Sequence, residues 1–306
     1  MTSALRWAKG KASVILKVPQ VNYLLRGVPL PTLSTEETQI AIATAIKNGG
    51  QMIARVGSNE GDALNQYKYN RLCSIQPRPY SKVIKNQIKT GAGFFPTDEA
   101  SLDRLAELYM RCVDQVDIYA AWSKFDRFIY KKSAQICRLV DLDPFFTVNR
   151  WPLAMAGKRV TVVHPFTSTI ARQFPKRDAL FDRPTLPDCT LTLVQAPQTQ
   201  ADASTQGQDW FANLAKMESL IADSKPDVCI IGAGAYGLPL AAYAKTLGAT
   251  ALMLGGATQL LFGIIGNRWL NDRQYKALVN EHWTRPGDDE KPEGFQKMEI
   301  AGGAYW

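Results

Sequence analysis

Two stretches of the chain combine residue types and spacing suited to holding an anion. The first is Arg55-Val-Gly-Ser-Asn-Glu60, set between a short apolar run, Gln51 to Val56, and a helical pattern that continues to about Asn70. A guanidinium there can make a two-pronged contact to phosphate or carboxylate. The unpaired N–H groups of a helix start add partial positive charge. Glu60, in the first turn, has three readings: a metal ligand, a catalytic base, or a residue that suits the helix dipole. The second stretch is Gly232-Ala-Gly-Ala-Tyr-Gly237, which follows the apolar run Val228 to Ile231 and precedes the helical pattern Leu238 to Leu247. Its G-x-G-x-x-G spacing between a strand and a helix is that of a phosphate turn.

A dinucleotide site also needs an acid about 20 residues further on, at the end of the next strand, to hold the ribose hydroxyls. That place is Leu254-Gly-Gly256, and no Asp or Glu occurs between Asp227 and Asp272. An NAD(P)- or FAD-dependent oxidoreductase is therefore an alternative without its ribose anchor. Tight strand–helix packing and a ligand loop for another kind of molecule are the other readings of the glycines. His164-Pro165 follows the strand pattern Val160 to Val163, where open α/β sheets keep their ligands. Such a histidine can pair with phosphate, act as acid or base, or simply bond to backbone. Gly255-Gly-Ala-Thr-Gln259 adds a further strand-end loop. Loops 57–60, 164–168, 232–237 and 255–259 are expected to converge on one edge of a sheet.

The elements that must position these loops follow from capping and periodicity. Ser34-Thr-Glu-Glu37 reads as a capping box, and Asn48-Gly-Gly50 ends its helix. Residues 71–96, with Pro77, Pro79, Gly91, Gly93 and Pro96, read as loop. Leu102, Leu105, Leu108, Tyr109, Cys112 and Val113 make one helical face, and Phe125, Phe128, Ile129, Ile136, Leu139 and Val140 a second, ended by Pro144. From Arg159 the pattern alternates: strands at 160–163, 191–194, 228–231 and 250–254, helices at 167–174, 210–221 and 238–247, and a loop over 175–188. This predicts an α/β fold, a Rossmann-like, mostly parallel sheet with helices on both faces, plus a helical N-terminal part. The expected organisation is a basic arm over 1–39, an α/β domain over 40–284 with a helical segment inserted at 97–143, and an irregular tail over 285–306 packed by Phe295, Tyr305 and Trp306.

Composition narrows the partners. The 306 residues are 46% apolar and 21% charged, a globular balance. A net charge of +8 reads either as a match for an anionic partner or as solvated surface charge. Lysine and arginine are scattered and not striped with aromatics, which argues against nucleic acid. Residues 1–35 carry Arg6, Lys9, Lys11, Lys17 and Arg26 and no acid, so the arm either packs on the domain or lies on an anionic membrane surface. No signal peptide is visible, and Ala249 to Ile265 reads as a buried strand and buried helix, not a membrane span. The cysteines Cys73, Cys112, Cys137, Cys189 and Cys229 are odd in number and lack a C-x-x-C pair, which fits reduced thiols in the cytoplasm.

Taken together, five segments resemble the bacterial glycosyltransferases of the GT-D type, whose domain was first described as one of unknown function. They are Ile53-Ala-Arg-Val-Gly-Ser-Asn-Glu60, Gly93-Phe-Phe-Pro-Thr-Asp98, Gly157-Lys-Arg-Val-Thr-Val-Val-His-Pro-Phe166, Gly232-Ala-Gly-Ala-Tyr-Gly237 and Leu254-Gly-Gly-Ala-Thr-Gln259. The central element of that family has the form Arg-aromatic-Gly-Asp-x-Glu, and its Asp-x-Glu pair is implicated in nucleotide-sugar and metal binding. Arg55, Gly57 and Glu60 match it; Val56 replaces the aromatic and Ser58 the Asp. The resemblance implies transfer of a sugar from a nucleoside diphosphate sugar to a glycan or lipid-linked acceptor, in surface polysaccharide or glycoconjugate synthesis. The thiols point to the cytoplasm, and the basic arm to a peripheral place at the inner face of the membrane as the other option. Arg55, Gly57, Ser58 and Asn59 would hold the donor, Glu60 would be base or remaining metal ligand, and His164 would contact the diphosphate. Gly232, Gly234, Tyr236, Gly237 and Gln259 would line the nucleotide or acceptor side. One carboxylate holds Mg²⁺ or Mn²⁺ poorly unless donor phosphates and another acid complete the shell. A homologue that binds nucleotide sugar without turnover is the remaining alternative.

Overall fold

Runs of four to six residues that are apolar throughout can only be buried on both faces, and parallel strands covered by helices are where such runs belong. The computed structural model describes residues 32–72, 78–123, 126, 129–131, 133–199, 207–291 and 305–306. Its strands are β1 (Met52–Ala54), β2 (Ile118–Ala121), β3 (Gln135–Arg138), β4 (Arg159–His164), β5 (Thr190–Gln195), β6 (Val228–Ile231) and β7 (Thr250–Met253). They form one seven-stranded sheet in the order β3-β2-β1-β7-β6-β4-β5. Every pairing is parallel. The α/β class and the Rossmann-like layering expected from the sequence are thus present.

The helices are α1 (Thr35–Asn48), α2 (Ser58–Gln66), α3 (Lys82–Ala92), α4 (Glu99–Val113), α5 (Thr167–Gln173), α6 (Trp210–Ser224), α7 (Gly237–Thr246), α8 (Asn267–Leu270) and α9 (Arg273–Lys276). The pleat sends alternate strand residues to opposite faces. Met52, Ala54, Cys229, Ile231, Ala251 and Met253 face one core, built with α2, α3, α4, α6 and α7. Ile53, Val162, Ile230 and Leu252 face the other, built with α1, α5 and the 3-10 segment Gly255–Phe262. Ser34 caps α1 in a complete capping box with Glu37.

Several expectations need correction. Within 71–96, read as loop, α3 runs from Lys82 to Ala92, started by the Ser81 side chain and ended by Gly93 in the left-handed region. There Gly93 marks a helix end. The segment 97–143 is helical through α4, but 118–121 and 135–138 are strands of the main sheet. β2 is buried almost throughout and shows no alternation, and β3 is a short edge strand, so their apolar residues could be fitted to a helical period. Phe125 and Phe128 lie outside the described residues. The loop 175–188 opens with 3-10 turns over Phe174–Ala179, and the buried helix expected before Ile265 is 3-10 over Gly255–Phe262. The basic arm lies outside the described residues up to position 31, as do Cys73 and Phe295. Trp306 is buried, and its ring centroid lies 5.5 Å from that of Phe166. Cys112, Cys137, Cys189 and Cys229 are free thiols. Among the described residues no helix is long and apolar enough to cross a membrane.

Candidate functional site

The order of the strands opens the sheet at two neighbouring places. β4 leads to α5 on one face while its neighbour β6 leads to α7 on the other. β1 leads to α2 while its neighbour β7 leads to the Gly255 turn on the opposite face. Where adjacent strands send their connections to opposite sides, a crevice forms beyond their carboxyl ends. Here both crevices belong to one cavity of about 770 Å³, lined by residues of loops 55–60, 164–166, 232–236 and 255–259.

The glycines let these loops meet. A Cβ on Gly232 would lie 2.6 Å from the Gly255 carbonyl oxygen and 2.7 Å from His164 Cδ2. Gly234 has φ +53, which only glycine adopts without strain. A Cβ on Gly237 would press on Met253 Cε at 2.8 Å. From the opposite helix, the Tyr109 hydroxyl donates to the Ala235 carbonyl at 2.7 Å and fixes the turn.

Arg55 leaves β1 and turns into the cavity. Its Nε is buried without a hydrogen-bond partner among the described residues, and a Cβ on Gly255 would lie 2.7 Å from its Nη2. The guanidinium stands 5.7 Å from the Trp122 ring centroid. Gly57 caps α2 with no side-chain bond to the helix. A side chain at Gly57 would overlap the Glu60 carboxylate, and one at Gly91 would overlap the Asn59 amide. Ser58 is exposed at the rim. Glu60 is buried, which pushes its pKa up; its own backbone N–H and the Arg55 charge oppose the rise. Burial, with the Glu60 charge, also holds the Tyr109 phenol well above its ordinary value.

His164 is buried, and burial lowers its pKa to about 3. Its Nδ1 accepts the Phe166 backbone N–H at 3.0 Å. The imidazole is therefore neutral near pH 7 with its proton on Nε2, a hydrogen-bond donor and not a cation. Tyr236 lines the cavity with little exposed area, and its ring stacks on Trp210 at 4.5 Å and 8°. Gln259 is fully buried; its Nε2 donates to the Ile264 carbonyl at 3.1 Å and the Tyr305 carbonyl at 3.2 Å. It ties the Gly255 turn to the chain end, while its Oε1 has no partner among the described residues.

Sequence reasoning missed the loop after β2. Trp122 is 45% exposed at the cavity wall. Its indole N–H donates to the Val56 carbonyl at 3.0 Å, and its backbone N–H to Asp126 Oδ2 at 2.7 Å. Asp126 also accepts from the Ser123 N–H at 2.7 Å and the Tyr119 hydroxyl at 3.1 Å. Burial raises the Asp126 pKa, and these hydrogen bonds oppose it. Trp122 stands directly after the run Ile118 to Ala121, as Arg55 stands directly after Met52 to Ala54, and that parallel was the available signal. Arg268 and the loop Ala196 to Thr199 also line the cavity without having been singled out.

The donors do not fit a divalent cation held by the protein. Ser58 stands where the resemblance expects an acid, Glu60 sits beside Arg55, and Asp126 is committed to three hydrogen bonds. Among the described residues no three His, Cys, Asp or Glu side chains group as ligands. Mg²⁺ and Mn²⁺ want several oxygen donors around one point.

No protein-family model matches the chain, and no curated protein matches it. Among solved structures it is similar to one described as the selenomethionine-substituted structure of domain of unknown function 1792. The TM-score is 0.39 at 11% identity, over 85% of this chain and 98% of that one.

Proposed function

We propose that this chain is a glycosyltransferase that takes a nucleoside diphosphate sugar as donor and a glycan or lipid-linked acceptor. The observation that carries the reading is the meeting of Arg55, the start of α2 and neutral His164 around one cavity, with a buried guanidinium Nε left unpartnered. Departure of a nucleoside diphosphate leaves negative charge on its terminal phosphate, and catalysis requires donors already aimed at it. Arg55 would supply a charge-assisted pair of bonds, the N–H groups of Ser58 and Asn59 the partial charge of a helix start, and His164 Nε2 a neutral donor. Glu60 would accept the acceptor hydroxyl's proton, a role suited to a carboxylate whose pKa is raised. The absence of an acid at Leu254 to Gly256 weighs against a ribose-anchored nicotinamide or flavin site.

The test is release of UDP or GDP from a panel of nucleotide sugars incubated with the purified protein and an acceptor extract. Glu60→Gln should remove turnover and leave nucleotide binding intact. Nucleotide binding without turnover by the unaltered protein would favour the non-catalytic homologue. Full activity in Glu60→Gln would remove Glu60 from the chemistry.

A further inference from the structure

A second cavity of about 480 Å³ lies against the first. The two share Arg55, Trp122, Leu139, Gly256 and Arg268 as walls. Asp143, Tyr275 and Trp269 line the second and not the first. The Tyr275 hydroxyl donates to Asp143 Oδ2. Asp143 Oδ1 accepts no hydrogen bond among the described residues. Arg138 also lines this cavity, but its guanidinium is engaged by Asp141, with Nε to Oδ2 at 2.8 Å and Nη2 to Oδ1 at 2.7 Å. The cavity thus offers a half-buried carboxylate oxygen, a wall that includes Trp122, Leu139, Leu142 and Leu254, and one side open to Arg268.

These groups select among ligands. A phosphate would pair with Arg55 or Arg268 at the shared wall, but at the Asp143 end it would meet a carboxylate, which disfavours it there. A purely apolar group would leave Asp143 Oδ1 desolvated without a donor. A ring with adjacent hydroxyls and an apolar face satisfies both sides: hydroxyls donate to Asp143 Oδ1 and the ring face packs on the apolar wall that includes Leu139, Leu142 and Leu254. We propose that this cavity binds an uncharged sugar ring of the acceptor, with Asp143 Oδ1 receiving hydrogen bonds from its hydroxyls. The assignment as acceptor rests on the donor reading of the larger cavity; the sugar-ring chemistry rests on the smaller cavity alone. Burial raises the Asp143 pKa to about 6, with the Tyr275 hydroxyl and Arg268 opposing and Asp141 assisting. The carboxylate is a charged acceptor above that pH and a protonated one below it.

The experiment uses the full chain and a defined probe set, methyl glycosides of glucose, galactose, mannose and N-acetylglucosamine. Saturation-transfer NMR reads their binding, and calorimetry reads UDP and GDP in parallel. At least one glycoside is expected to bind saturably. Asp143→Asn should weaken it tenfold or more while nucleotide affinity changes less than twofold. Binding should also fall when pH drops from 7.5 to 5. Val140 is 48% exposed at the cavity mouth, so Val140→Trp is a second variant that blocks entry without disturbing the core. Nucleotide binding with no glycoside binding overturns the inference, as does glycoside binding equal in both variants and the unaltered chain. Saturable inorganic phosphate binding that Asp143→Asn strengthens would overturn the choice of an uncharged ring. Glycoside binding without nucleotide binding would retain the sugar subsite and remove the donor reading.

Discussion

Gly232→Ala tests whether the three loops meet where the structure places them. A methyl group there would sit 2.6 Å from the Gly255 carbonyl oxygen, 2.7 Å from His164 Cδ2 and 2.8 Å from Thr258 Oγ1. Each distance is well inside van der Waals contact, and one neighbour is backbone. Gly232 is not among the glycines with positive φ, so the cost is steric and not conformational. Its N–H donates to the Val163 carbonyl at 2.9 Å, so retreat of the turn would loosen that bond. Overpacking of this kind costs about 1–3 kcal/mol. For a chain of this length that is roughly 2–6 °C in Tm, taking the lower end of the usual sensitivity. Gly61→Ala is the internal control. Its added methyl would lie 3.6 Å from Val56 Cγ1 and 3.8 Å from Ile129 Cδ1, ordinary contacts. Within α2 that change should stabilise by about 0.5–1 kcal/mol. Thermal and guanidinium unfolding of both variants reads the difference. A Gly232→Ala protein as stable as the unaltered one would refute the close approach of the β4, β6 and β7 loops.

Three further outcomes follow from the site. Tyr109→Phe deletes the donor to Ala235 and should cost about 1–3 kcal/mol by leaving a buried carbonyl unpaired, read by denaturant unfolding. Glu60 has a raised folded pKa, so the native state holds its proton more tightly than the unfolded chain, and stability falls as pH rises through that range. Glu60→Gln should therefore raise Tm more at pH 8 than at pH 4.5 while removing transfer; equal shifts at both pH values would show that Glu60 carries no charge penalty. His164 has the opposite linkage: its folded pKa of about 3 lies below the unfolded value, so stability is complete above about 6.5 and declines as pH falls below it. His164→Gln should flatten that decline between pH 7 and 4, and an unchanged slope would mean the imidazole is not held neutral.

The sequence carried the parts of the fold whose signals are local. The Ser34–Glu37 capping box, the glycine turn after β6 and the alternation from Arg159 onward all correspond to observed elements. β2 and β3 were hidden because a buried parallel strand and a four-residue edge strand carry no period of their own. α3 was hidden by the glycines and prolines around it, although Gly93 proves to be its terminator. At the site, loop positions were readable because strand ends and helix starts are. The neutral state of His164 was not, because it depends on burial by Phe166 and Gly232, which are distant in sequence or contact only after folding. Trp122 was missed with its strand. Tyr236 and Gln259, read as ligand contacts, line the cavity and are also held by Trp210 and by the Ile264 and Tyr305 carbonyls, contacts that the sequence does not announce.

In the proposed glycosyltransferase, Arg55 and the start of α2 would hold the nucleoside diphosphate without a metal held by the protein. Calorimetric titration of UDP and GDP into the unaltered chain and into Arg55→Ala, both in excess EDTA, measures it. Saturable binding of one nucleotide by the unaltered chain is expected, with a loss of about tenfold or more in Arg55→Ala, the scale of a charge-assisted pair worth ~1.5–3 kcal/mol. No binding of either nucleotide, or equal affinity in both proteins, would contradict it.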